Sequence, residues 1–154
     1  MSSPVLRYAE WEDADPLLEM MRELYLHDGV PFDEARARKA TDELISSMDS
    51  AILDLGRIWM IESEDEIAGY LVLTFGFSIE YGGMHGFIDE LYVRSEFRGR
   101  GLGSLAVDHA AELCQSLQMH ALLLEVDLEN PRAHRLSERL RFKEHGRRLM
   151  TRPL

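Results

Sequence analysis

Cysteine is almost missing from this chain. Cys114 is the single thiol among 154 residues, so no internal disulfide can form and a reducing cytosol is the expected compartment. Cys114 falls among helix-spaced apolar residues and reads as a packed thiol rather than a nucleophile. No stretch reaches the ~18 consecutive apolar residues that a membrane span requires. The opening Met1-Ser2-Ser3-Pro4 lacks the apolar run of a secretory leader, so neither a membrane segment nor export is expected. Positive charge is also short, with 17 Lys and Arg against 28 Asp and Glu, a net charge of −11. That balance argues against nucleic-acid and anionic-membrane partners and is compatible with a small cationic one. No Pro/Gly/Ser linker, repeat or low-complexity run divides the chain, so residues 1–154 read as a single domain. His85, His109, His120, His134 and His145 show no ligand-like spacing, and no metal is expected.

What is present centres on Phe87 to Ala111. Phe87, Ile88, Leu91, Tyr92 and Val93 form an apolar, β-branched and aromatic run that reads as a buried strand. Gly99, Gly101 and Gly103 follow, and then Leu102, Leu105, Ala106, Val107 and Ala110 at helical spacing. A strand feeding a glycine-rich turn that opens a helix is suited to hold phosphate. The glycines let backbone N–H groups approach an anion, and the helix N-terminus adds about half a positive charge. Arg98 and Arg100 flank the turn and can pair with phosphate oxygens. No Lys-Ser/Thr follows the glycines, which excludes a Walker loop. The G-x-G-x-G spacing and its late position also disfavour a dinucleotide fingerprint.

Around that stretch, Val5–Tyr8 reads as a short strand. Asp13 or Asp15 then caps a helix whose apolar face is Leu17, Leu18, Met21, Leu24 and Tyr25. Asp33 caps a second helix running to about Met48. Ile52–Gly56 carries no clear pattern. Arg57–Glu62 and Ile67–Ile79 read as strands, and Tyr81-Gly82-Gly83-Met84 closes a hairpin into the central strand. Ala121–Val126 is an apolar strand expected to run parallel to Phe87–Val93 through the helical crossover. Pro131 opens a helix to about Leu140, and Phe142–Met150 is expected to supply a last strand. The order is β-α-α-β-β-β-α-β-α-β, a single-domain α/β (α+β) fold.

The central stretch resembles the acetyl-CoA signature of the GNAT superfamily of N-acetyltransferases. Arg98, Gly101 and Gly103 fill the fixed positions of Arg/Gln-x-x-Gly-x-Gly/Ala, and Leu91-Tyr92-Val93 ends the preceding strand as that signature does. A second motif, N-x-x-A-x-x-L-Y-x-x-x-G-F, is matched by Asn130, Ala133, Leu136 and Phe142, with Ser137 in place of the tyrosine and Arg141 in place of the glycine. The resemblance spans roughly Val5 to Thr151. It implies a mixed sheet with helices on both faces and acetyl-CoA as acyl donor. The pantetheine arm would lie along Leu91, Tyr92 and Val93, and the pyrophosphate on Arg98, Gly99, Arg100, Gly101, Leu102, Gly103 and Ser104, with Asn130 and Ser137 also at the donor site.

Acetylating an amine requires an acceptor for its proton. Asp89 and Glu90 lie in an otherwise apolar strand, and simple alternation puts them on opposite faces, Asp89 with Phe87 and Leu91, Glu90 with Ile88 and Tyr92. Asp89 is placed first as the base and Glu90 second, and a bulge would reverse that parity. Tyr25, Asp28 and Phe32 in the first helix–helix connection, with Glu80 at the hairpin, are candidates for the acceptor wall. The tyrosine that Ser137 replaces is the one the family uses to protonate the departing thiolate. A thiol of pKa about 8.5 leaves tolerably as the anion. The expected activity is direct transfer of acetyl from acetyl-CoA to a primary amine of a small cationic molecule. The alternative is an acyl-CoA-binding sensor without turnover, and a homodimer is compatible with the sequence.

Overall fold

The computed structural model describes residues 2–154. The β-branched and aromatic runs become β2 (Gly56–Ser63), β3 (Glu66–Ser78) and β4 (Gly83–Val93), an antiparallel meander that β1 (Val5–Tyr8) extends on one side. Gly82 and Gly83, with φ of +76° and +143°, turn the β3–β4 hairpin in a region that favours glycine. On the other side β5 (Leu122–Leu124) joins β4 in parallel, so the mixed sheet runs β1-β2-β3-β4-β5.

Helices cover both faces. Tyr70, Val72 and Tyr92 face α1 (Ala14–Asp28) and α2 (Glu34–Met48), whose Leu17, Leu18, Met21, Leu44 and Ile45 fill that core. Leu71, Leu73 and Ile88 face the opposite way, against Ala106, Val107 and Ala110 of α3 (Leu102–Ser116). Leu17, Leu71 and Leu73 are 0% exposed, and each such burial is worth about 1.5–3 kcal/mol. At Gly86 α3 comes so close that an added Cβ would lie 2.5 Å from Cys114 Sγ. The thiol is buried there, and desolvation raises its pKa.

Capping follows the sequence in part. Asp33 accepts from the Arg36 amide at 3.0 Å, as expected of an N-cap. Neither Asp13 nor Asp15 caps α1 through its side chain; Asp13 instead takes a bidentate pair from Arg7, at 2.7 and 2.9 Å, and accepts from the Glu10 amide. The arginine lowers the Asp13 pKa, outweighing its burial. Asn130 caps α4 (Pro131–Arg139) by accepting from the Ala133 amide at 3.1 Å.

Two sequence expectations need correction. The strand expected over Ala121–Val126 pairs only at Leu122–Leu124. The last strand, expected over Phe142–Met150, does not form. Phe142 packs on the α3-side core, but the polar run behind it, K-E-H-G-R-R, has no alternation to bury. Leu149 and Met150 remain 76% and 89% exposed, and the tail is held by the Arg147–Glu80 ion pair at 2.8 Å instead of by a ladder. At the end of α4, Arg141 occupies the family's glycine position with φ +70°. Its amide donates to Glu138 and that of Phe142 to Ser137, closing a Schellman turn.

Candidate active site

The site begins with a break in the β3–β4 register. Gly69 to Val72 pair with Val93 to Glu90 in order, and then Leu73 faces Ile88. Asp89 is the extra residue of a β-bulge. Glu90 therefore shares the α1–α2 face with Tyr92, while Ile88 turns into the other core. This corrects the simple alternation, which put Glu90 and Ile88 together. The β4–β5 ladder also ends at Ile88–Leu124, so Asp89 to Val93 have no partner in β5. Bulge and strand separation coincide at the two carboxylates.

Glu90 is half-buried and held from two sides. The Tyr25 hydroxyl of α1 donates to Oε2 at 2.6 Å, and the Tyr70 hydroxyl of β3 donates to Oε1 at 3.0 Å. Desolvation raises the Glu90 pKa, the two hydroxyls pull it down, and the negative charges of Asp89 and Asp28 raise it again. Tyr25 and Tyr70 are both pushed well above the ordinary phenol value, by burial first and then by the carboxylate. Phe32 meets Tyr25 edge-on at 5.3 Å, with the Arg22 guanidinium 5.5 Å from the Phe32 ring. Asp89 is exposed, and among the described residues no side chain bonds its carboxyl; neighbouring atoms still desolvate it enough to raise its pKa.

Just past Val93 the chain makes the glycine turn. Gly99 and Gly101 have φ of +76° and +79°, and a Cβ at either would meet nothing within 4 Å. Open space over left-handed glycines at the start of α3 is what an anion-binding turn needs. Gly103 is ordinary helix, lying against Leu136 and Leu91. Arg98 Nε donates to the Val93 carbonyl at 2.9 Å and its guanidinium stacks 5.6 Å from the Tyr92 ring, tying the turn to the end of β4. Tyr92 in turn donates to Glu23 at 2.8 Å. Arg100 pairs with Glu64 at 2.9 Å and donates to the Glu96 carbonyl at 3.1 Å.

Tyr25, Phe32, Glu90 and, by its charge, Asp28 thus come together, with Asp89 beside them. Glu80 does not join them: it sits at the hairpin turn, bonded to Arg147, about 20 Å along β4 from the carboxylates at the usual strand rise. Ser137 is buried and its hydroxyl donates to the His134 carbonyl at 2.7 Å. Two residues escaped the sequence reading. Tyr70 looks like any aromatic strand residue, and only the register that sets it diagonal to Glu90 shows its use. Arg139, at the end of α4, donates to Ser104 in the first turn of α3 at 3.3 Å, a contact no motif announces. Among the described residues no group of three or more His, Cys, Asp or Glu could hold a metal ion, and no helix is long and apolar enough to cross a membrane.

Residues 18–142 match the family model for the acetyltransferase (GNAT) family, and the chain belongs to that family. No curated relative matches the sequence. Among solved structures, an integron cassette protein from the mobile metagenome of Cole Harbour Salt Marsh is 37% identical with a TM-score of 0.82, over 97% of this chain and 90% of that one. A predicted acetyltransferase from Clostridium acetobutylicum, solved with acetyl-CoA, has a TM-score of 0.80 at 14% identity, over 97% of this chain and 96% of its own. An aminoglycoside antibiotic 6'-N-acetyltransferase from Acinetobacter haemolyticus has a TM-score of 0.79 at 16% identity, over 97% and 98%. At such identities the last two likenesses speak for the fold.

Proposed function

We propose that this GNAT-family chain transfers the acetyl group of acetyl-CoA to a primary amine of a small cationic acceptor, directly, within a ternary complex. The observation that carries the reading is the coincidence at one point of β4. There the ladder to β5 ends, a bulge presents Asp89 and Glu90, and the strand runs on for only a few residues before the glycine turn. Unpartnered backbone along Leu91, Tyr92 and Val93 suits an amide-bearing pantetheine arm. The open glycines and the α3 N-terminus suit its phosphates, with Arg98, Arg100 and Ser104 around them, and Arg139 adds a further guanidinium there.

In the step itself the amine lone pair attacks the thioester carbon, the C–N bond forms and the C–S bond breaks. CoA departs as thiolate and later takes a proton from solvent. The amine's proton passes to Asp89. A backbone N–H of the freed β4 segment donates to the carbonyl oxygen as it gains charge, an effect typically worth roughly 3–4 kcal/mol. The acidic acceptor side, with Asp28 and Glu90, favours a cation. The test is CoA thiol release from acetyl-CoA across a panel of primary amines that includes polyamines and aminoglycosides.

An acyl-CoA sensor without turnover is the second reading. One observation favours it: the Ser137 hydroxyl is spent on the His134 carbonyl and offers no acid to the thiolate. Binding of acetyl-CoA with no amine-dependent thiol release would select it.

A further inference from the structure

Glu90 and Asp89 are adjacent carboxylates in opposite circumstances. Both Glu90 oxygens accept a tyrosine O–H, one from α1 and one from β3. Tyr70 is 0% exposed among the apolar side chains of the α1–α2 core, so its hydroxyl has no water to turn to. A phenol carries one proton to give, and two such donors aimed at the two oxygens of one carboxyl match an anion. Protonating Glu90 would put an O–H against one of those donors. Asp89, exposed and without a side-chain partner, suffers no such conflict on gaining a proton. Each Glu90 oxygen still has a lone pair free for a further donor.

We propose that Glu90 is a fixed anionic anchor for the acceptor's ammonium group, that Tyr70 is the positioning residue that holds it ionised and oriented, and that the proton goes to Asp89. This rests on the acetyltransferase reading of the same site and divides the labour within it. The groups facing Glu90 are Tyr25 and Asp28 from α1, Tyr70 from β3 and Asp89 on its own strand. Burial, Asp89 and Asp28 oppose its ionisation and leave its pKa above the ordinary glutamate value; the two hydroxyls limit that rise, and an ammonium on the free lone pairs of Glu90 would lower it further. Tyr25 joins the anchor to the α1–α2 connection through Phe32, which places the acceptor's apolar part against those rings.

The experiment follows the Glu90 and Asp89 carboxyls by carbon NMR in the full chain labelled at glutamate and aspartate, with Glu90→Gln and Asp89→Asn assigning the signals. It compares wild type, Tyr70→Phe and Tyr25→Phe, adds n-butylammonium as probe, and measures acetyl-CoA binding on the same samples. Losing one charge-assisted hydrogen bond should raise the Glu90 pKa by about one pH unit in each phenylalanine variant. At neutral pH butylammonium should shift the Glu90 signal in wild type and shift it less in Tyr70→Phe. A purely structural role for Tyr70 would lower Tm and leave the titration in place, which would overturn the inference, and Tyr25→Phe decides the point if Tyr70→Phe does not fold. A butylammonium response at Asp89 with none at Glu90 would also overturn it. Failure of wild type to bind acetyl-CoA brings down the functional reading and this inference together, whereas acetyl-CoA binding with an indifferent Glu90 brings down this inference alone.

Discussion

Gly101 allows backbone strain to be separated from ligand space. It opens α3 with φ +79°, and a Cβ there meets nothing within 4 Å. Gly29, at the end of α1, has φ +68° and equally empty surroundings. An L residue held in this region costs about 1–2 kcal/mol. Gly101→Ala and Gly29→Ala should therefore destabilise the free protein alike, by roughly 2–4 °C in Tm per kcal/mol at this size. They should part company on acetyl-CoA. The space above Gly29 is solvent, while that above Gly101 is where we place a phosphate. Gly29→Ala should bind acetyl-CoA as wild type does, and Gly101→Ala about tenfold more weakly, a change of about 1.4 kcal/mol. Gly101→Glu adds a carboxylate. Two like charges 4 Å apart interact by about 4 kcal/mol at the effective dielectric of a protein surface. Even with half of that lost to solvent and salt, Kd should rise by about thirtyfold beyond the alanine effect on the general affinity scale. Calorimetric titration of acetyl-CoA, paired with thermal melts of the free variants, reads both quantities. Folded Gly101→Glu with the acetyl-CoA affinity of Gly29→Ala would refute the assignment of this turn.

Other consequences concern the base and the end of α4. Asp89→Asn should leave acetyl-CoA affinity intact and lower kcat/KM for whichever amine turns over by about 10- to 1000-fold, within the reach of general-base effects. The acid limb of the wild-type profile should lie above the ordinary aspartate range, because desolvation raises the Asp89 pKa, and the deficit of the variant should shrink at high pH as free amine accumulates. A raised carboxyl pKa favours the fold below the unfolded-state value and loses that advantage as pH climbs through the folded one, so Asp89→Asn should melt no lower than wild type at neutral pH. Wild-type rates from Asp89→Asn near neutral pH would remove it as base. Arg141→Gly restores the family residue at a left-handed position and should raise Tm by roughly 1–4 °C, since a relieved strain of about 1–2 kcal/mol exceeds the entropy of glycine, about 0.4–1 kcal/mol. A lower Tm would mean that the Arg141 side chain contributes more than its backbone strain costs.

The parts of this molecule that could be read from sequence are those where local chemistry dictates local shape. Gly99 and Gly101 carry positive φ because the turn demands it, and a demand for glycine is visible in the letters. The meander was legible for the same reason: Arg57 to Val93 carries apolar, β-branched and aromatic runs punctuated by turn residues. Tertiary detail was not legible. The bulge at Asp89 inserts one residue into an otherwise regular ladder and leaves no mark on composition, yet it moves Ile88 to the opposite face from Glu90. Tyr70 could not be singled out because its use depends on a strand register and on a helix docking over it. The expected last strand failed because Lys143 to Arg148 is a polar run with no alternating apolar face to bury, and Leu149 and Met150 beyond it stay exposed. Asn130 and Ser137 stood out by motif, and their side chains prove occupied with the backbone of α4 itself.

Transfer of acetyl to nitrogen is read by thiol release from acetyl-CoA across the amine panel, with mass analysis of the product. Release should depend on a primary amine, the product should carry one acetyl group on that nitrogen, and Asp89→Asn should lose most of the rate with acetyl-CoA still bound. Firm acetyl-CoA binding with no amine-dependent release from any member of the panel would contradict it.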